Sequence, residues 1–214
     1  MAPSRLAGRT AALSRPLPAA ISLQVLALQR EDTYSRRDAT LRSDADATLA
    51  ELREVASVVV RDIFEANWEG KVESEGARAE KLLPKLSAFF PGIELTTAEL
   101  SGGDRAAAEA QAAAAAARAL DGKLASLESL RAGLGVESAR YLRLLQTDNL
   151  WKAHMKAMNF VKDFAGLKVY AQEDPLNVYR EEGLKLYDDM QSALRRNTIY
   201  SFMMYEPKAG AAAE

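Results

Sequence analysis

Apolar residues recur at three- and four-residue steps along almost the whole chain, which is the period of an amphipathic helix. From Asp46 to Trp68, residues Leu49, Leu52, Ala56, Val59, Val60 and Ile63 form one stripe, and Ser43 or Asp44 is placed to cap its start. Ile21 to Leu41 reads as an earlier helix, interrupted by the charged run "QREDTYSRRD". After Trp68 the polar "EGKVESEG" reads as a connection. A short helix then leads to a Pro91-Gly92 turn, with a restart at Thr97 followed by Glu99. "SGGD" breaks the chain again, and "AAAEAQAAAAAARAL" predicts a helix that packs closely on a neighbour, since alanine favours helix but buries little area.

Gly133 and Gly135 predict the next break. Glu137 to Lys162 resumes the helix, with Leu142, Leu145, Trp151, Met155 and Met158 largely on one side. Asp174 and Pro175 suit the N-cap and first turn of a last helix reaching about Tyr205. That helix uses Leu176, Tyr179, Leu184, Leu186, Tyr187, Met190, Leu194 and Ile199. No strand, hairpin or repeat signal stands out. The expected fold class is all-α, built from extended helices with a smaller helical lobe inserted at about residues 69–104.

Composition removes several function classes. The 214 residues suffice for a sizeable core, and a formal charge of −2 gives no overall field for nucleic acid. Cysteine is absent, which excludes disulfides, thiolate zinc sites and a cysteine nucleophile. One histidine, His154, argues against a Ser-His-Asp triad or a multi-histidine metal site. No apolar run approaches the roughly 20 residues of a membrane-spanning helix. The first thirty residues carry Arg5, Arg9, Arg15 and Arg30 and no acid. That bias reads either as an organelle transit segment or as an alanine-rich flexible terminus.

The search for chemistry finds little. Gly102-Gly103 lacks the lysine and hydroxyl of a phosphate loop. Asp188 and Asp189 are adjacent, so on a helix they point about 100° apart and cannot act as a pair. Arg195-Arg196 suit the dipole of a helix C-terminus. Met203-Met204 reads as gap-filling core or as a partner surface. No catalytic residue, cofactor site or metal site is expected.

The stretch "LQTDNLWKAHMKAMNFVKDFAGLKVYAQEDPLNVYREEGLKLYDDMQSALRRNTIYSFMMYEP" carries a family resemblance. Asp148 and Trp151, then His154, Tyr170-Ala171-Gln172, Asp174-Pro175-Leu176, Tyr179 and Glu182-Gly183 resemble the C-terminal helical scaffold of the SecA preprotein translocase. "RRNTIYSF" is similar to its plastid and cyanobacterial branch. More weakly, "QREDTYSRRDATL", "VVVRDIFEANW" and "KLLPKLSAFFPGIEL" resemble the long scaffold helix and the helical wing. The match runs from about Val25 to Pro207 and looks like the last third of a SecA.

The resemblance implies scaffold helices over 21–68, a wing-like lobe over 69–104, and a long helix with a two-helix finger over 105–207. These lie between a flexible or transit-like 1–20 and a disordered tail at 208–214. It implies that Lys168, Tyr170 and Gln172 at the fingertip contact a polypeptide or partner. Trp151, His154, Met158 and Tyr179 pack the finger, with Trp151, Met155 and Met158 facing Tyr179, Leu186 and Tyr187. Lys168 stands where the family has arginine. Val169 stands where it has glycine, and a β-branched residue is stiffer there.

The implied protein is not an enzyme, because neither nucleotide-binding fold of the motor is recognisable in these residues. Two functions fit. One is a SecA C-terminal module in the chloroplast, in the stroma or at the stromal face of the thylakoid. Its partners are then a SecY-type channel, a separately encoded SecA motor and preproteins, and peripheral membrane association is admitted. The other is a structural subunit, derived from that scaffold, in a large thylakoid complex such as a photosystem assembly. An incomplete gene product is a third, trivial reading.

Overall fold

The computed structural model describes residues 19–68, 75–101, 104–168 and 174–207. Among them every regular element is an α-helix: α1 Ala19–Arg42, α2 Ala45–Trp68, α3 Glu75–Phe89, α4 Thr97–Ser101, α5 Arg105–Leu130, α6 Leu134–Leu167 and α7 Pro175–Met203. The all-α class read from the sequence therefore holds. Of the flexible or transit-like 1–20, residues 1–18 lie outside the described residues and Ala19 and Ala20 begin α1; the tail 208–214 also lies outside them.

The helix boundaries follow from local chemistry. The Asp44 carboxylate accepts the Ala47 N–H at 2.8 Å and so caps α2. The Asp104 carboxylate does the same for α5 through Ala107, at 2.9 Å. The restart expected at Thr97 is capped one residue earlier. The Thr96 hydroxyl accepts the Glu99 N–H at 3.4 Å, while the Glu99 carboxylate accepts the Thr96 N–H at 2.7 Å. Two turns require a positive φ, at Gly92 (76°) and Gly133 (79°). Gly135, expected to help break the chain, instead sits buried inside α6, with Leu124 Cδ2 3.0 Å from where a Cβ would be.

The charged run in α1 does not interrupt it. Asp32 and Arg36, and then Asp38 and Arg42, pair at i, i+4, and carry the helix through that stretch. Two further expectations fail at single positions. Leu145 and Leu184, assigned to apolar stripes, are 38% and 60% exposed.

The chain forms two compact units. One combines the segment up to Arg36 with Asp148–Gln191, and the other combines Arg37–Thr147 with the segment from Ser192. Helices α1, α6 and α7 contribute residues to both.

The second unit has the larger core. Helix α2 buries Leu52, Val55, Ala56, Val59, Val60, Ile63 and Phe64. Against it α5 presents Ala108, Ala112, Ala115 and Ala116, at helical spacing and at most 1% exposed. Small side chains let the α2 and α5 backbones approach closely, so the alanine-rich segment is the packed helix its composition predicts. Leu82 and Leu86 of α3, then Phe90 and Leu100, complete the cluster. Phe64 stacks on Trp68 at 5.7 Å, and the Arg78 guanidinium covers the Trp68 ring at 4.6 Å. Arg140 donates to the Ser43 carbonyl at 2.5 Å and Arg143 pairs with Glu51 at 2.8 Å. Together they tie α6 to the start of α2.

Candidate functional site

The unit containing Asp148–Gln191 holds the expected site residues that the structure describes, Trp151, His154, Met158, Lys168 and Tyr179. Its hairpin partner α7 starts as the sequence predicts. The Asp174 carboxylate accepts the Leu176 N–H at 3.1 Å, and Pro175 occupies the first turn, where its missing N–H costs nothing. Met158, Ala165 and Tyr179 are at most 1% exposed and form a small core. Val161, Val178 and Leu186 surround it, together with Val25 and Leu26 of α1.

The hairpin is therefore not a two-helix object. Helix α1 is its third wall, and a polar network joins the three. The Gln29 amide donates through Nε2 to the Gly183 carbonyl at 2.9 Å. Its Oε1 lies 2.9 Å from His154 Nε2. Because the Gln29 oxygen must accept, His154 carries its proton on Nε2. Gly183 also leaves room for Met158, since a Cβ there would lie 2.9 Å from Met158 Cε.

Next to it the Tyr187 hydroxyl donates to Asp32 at 2.7 Å and lies 3.1 Å from the Thr33 hydroxyl. Burial works against ionisation of Asp32. Hydrogen bonds from Tyr187 and Arg36, and the Arg36 charge, outweigh it and hold the carboxyl below its ordinary value. Burial also pushes the Tyr187 phenol up, and the Asp32 carboxylate adds to this.

Aromatic rings close the junction. Trp151, 9% exposed, stacks on His154 at 5.4 Å and meets Tyr34 of α1 edge-on at 6.2 Å. His154 meets Tyr187 edge-on at 5.6 Å. Trp151 thus meets α1 through Tyr34, and Met158 packs with Tyr179.

The arrangement is a packed clamp. Among the described residues no group of His, Asp and Glu is placed to hold a metal ion. No described helix is long and apolar enough to cross a membrane. Of the expected contact residues, Lys168 ends the α6 segment with its ammonium 5.3 Å from the Phe164 ring. Tyr170 and Gln172 lie outside the described residues. Sequence reasoning missed Gln29, Thr33 and Tyr34 as partners of the hairpin. The available signal was the i, i+4, i+8 spacing of Val25, Gln29 and Thr33 on one face of α1.

Burial alone drives the His154 imidazole below its ordinary value. The folded state thus binds this proton less readily than the unfolded chain. The contribution is intact above the unfolded pKa of about 6.5 and is lost as pH falls below it towards the folded pKa. Melting followed from pH 7.5 to 5 should show acid destabilisation that His154→Gln flattens. An unchanged slope in the variant would assign the acid sensitivity to other groups.

Residues 24–206 match the family described as the SecA Wing and Scaffold domain. The chain belongs to this family. It is similar to a chloroplastic SecA translocase subunit of Ostreococcus lucimarinus, 33% identical over 86% of this chain and 20% of that protein. It is also similar to the chloroplastic SECA1 subunit of Arabidopsis thaliana, 34% identical over 86% of the chain and 18% of that protein. A Synechococcus SecA subunit is 31% identical over 87% of the chain and 20% of its own length. The chain thus spans about a fifth of the length of the curated relatives it matches.

Proposed function

We propose that this chain is a SecA-type wing and scaffold module that serves protein translocation in the plastid through protein–protein contacts. It catalyses nothing by itself. Residues 69–104 act as the wing-like lobe, and the α6–α7 hairpin acts as the finger at a SecY-type channel. The observation that carries this reading is the family match over residues 24–206 together with the buried clamp behind the finger. A finger that presses on a polypeptide needs a stiff base, and Gln29, His154 and Gly183 join three helices at that base. The chloroplastic relatives support a plastid location.

The 214 residues carry no phosphate loop, so the isolated chain should show no saturable melting shift with ATP and magnesium. A nucleotide that bound the folded state would raise the melting point by mass action. Recovery of tagged chain from thylakoid membranes should bring down a SecY-type channel. A saturable shift, or recovery without any channel, would defeat this reading.

One sequence feature favours the alternative of a structural subunit in a thylakoid complex. Val169, a β-branched residue, stands where the family usually has glycine. On that reading the purified partner is one large membrane complex instead of the channel.

A further inference from the structure

The second unit holds a small cavity whose walls come from α1, α2, α6 and α7. Thr48, Glu51, Val55, Arg140, Arg143 and Thr198 are among its lining residues. Its volume is about 10 Å³, room for one water or one monatomic ion and too little for phosphate or sulfate.

Arg140 sets the chemistry of this cavity. Its Nη2 donates to the Ser43 carbonyl at 2.5 Å and lies 3.4 Å from the Thr48 hydroxyl. Its Nε–H is buried, and no described acceptor meets it. A buried, charged donor without an acceptor is costly, so the site calls for a ligand that accepts. Thr48 and Thr198 donate their own hydroxyl protons to the Asp44 and Leu194 carbonyls, each at 2.7 Å, which leaves the guanidinium as a surplus donor. The charges point the same way. Arg143 and Glu51 pair at 2.8 Å and offset each other. The acceptors of Arg140 are uncharged, and Glu137, which feels its charge, is held by Arg131. One positive charge is therefore in excess at the cavity. A water would satisfy the Nε–H and leave that charge uncompensated; a halide supplies acceptor and charge together. Leu52, Val55 and Ala139 give the cavity apolar walls, which suit weakly hydrated chloride or bromide better than fluoride.

We propose that this cavity binds a single halide ion, of the size and charge of chloride, through Arg140. The ion fixes the guanidinium that ties α6 to the Ser43 carbonyl between α1 and α2, and so stabilises the unit. This does not depend on the translocation reading, because it needs neither channel nor preprotein.

The test is melting of the full 214-residue chain at fixed ionic strength as sodium chloride replaces sodium gluconate. The melting point should rise saturably, by about 3–6 °C once chloride reaches about ten times its dissociation constant. Bromide should act like chloride and fluoride should not, which is the reverse of a general salt effect. Chloride-35 NMR should show a line that the chain broadens and that added bromide narrows again. Arg140→Gln should abolish both responses. That variant also loses the Ser43 bond, so Val55→Ile provides a second arm. Its extra methyl group fills the cavity from an apolar wall and alters no hydrogen-bonding group, and the chloride response should vanish from a folded chain. No saturable gain over gluconate would overturn the proposal. A gain that follows fluoride over chloride would also do so, as a general salt effect. So would a gain that Val55→Ile or a folded Arg140→Gln retains, because the ion would then sit elsewhere.

Discussion

Trp151→Ala is expected to destabilise the unit containing Asp148–Gln191 by about 3–5 kcal/mol. The indole is almost fully buried and has two aromatic partners, His154 and Tyr34. Truncation removes the transfer energy of the ring and leaves a cavity between α1 and α6 that rigid helices cannot close. The Tyr34 contact should appear as a coupling of about 0.5–1.5 kcal/mol in a double-mutant cycle with Tyr34→Ala. Urea denaturation followed by fluorescence and by circular dichroism provides the measurement. A loss below about 1 kcal/mol would mean that the ring is exposed in solution and available to a partner.

Phe64→Ala is expected to cost a comparable amount, about 3–5 kcal/mol, in the other unit. Phe64 is 0% exposed, sits on the α2 stripe and stacks on Trp68. Its loss also removes the platform under the Trp68 ring, which Arg78 covers. The two substitutions lie in different units. Denaturation monitored by probes in each unit should therefore show Trp151→Ala and Phe64→Ala lowering different transitions. If both lower one shared transition equally, the chain unfolds as a single cooperative body.

Most of the secondary structure was legible because it rests on local rules. The α2 stripe has a clean apolar period, the alanine run has no competing structure to favour, and Asp174-Pro175 starts a helix by side-chain hydrogen bonding and fixed φ. What escaped depends on distant partners. Helix α1 shows little amphipathic contrast because its buried face contains Gln29, Thr33 and Thr40. Gln29 and Thr33 are polar, and burial suits them because they hydrogen-bond polar groups. The His154 partner is 125 residues away, and no spacing rule reaches that far. Gly133 and Gly135 look alike in sequence, yet one adopts a positive φ and the other makes room for Leu124. Leu184 shows a misassigned stripe: it lies about 140° around α7 from Tyr179, while Leu186 and Met190 lie within about 20° of it, and it faces solvent.

The finger proposed here rests on family resemblance alone. Lys168, Tyr170 and Gln172, the proposed contact residues, have no local signature, since a contact is defined by a partner that one chain does not contain. The clamp behind them is a physical claim of its own. It predicts that the finger's base stays folded whatever the tip touches.

The central claim is that the tip meets polypeptides in transit. It is tested most directly by site-specific photocrosslinking from position 170 of the full chain in isolated plastids importing precursors. The account predicts adducts with several different precursors and with a SecY-type channel. A single discrete adduct that persists without import, or no adduct at all, would contradict it.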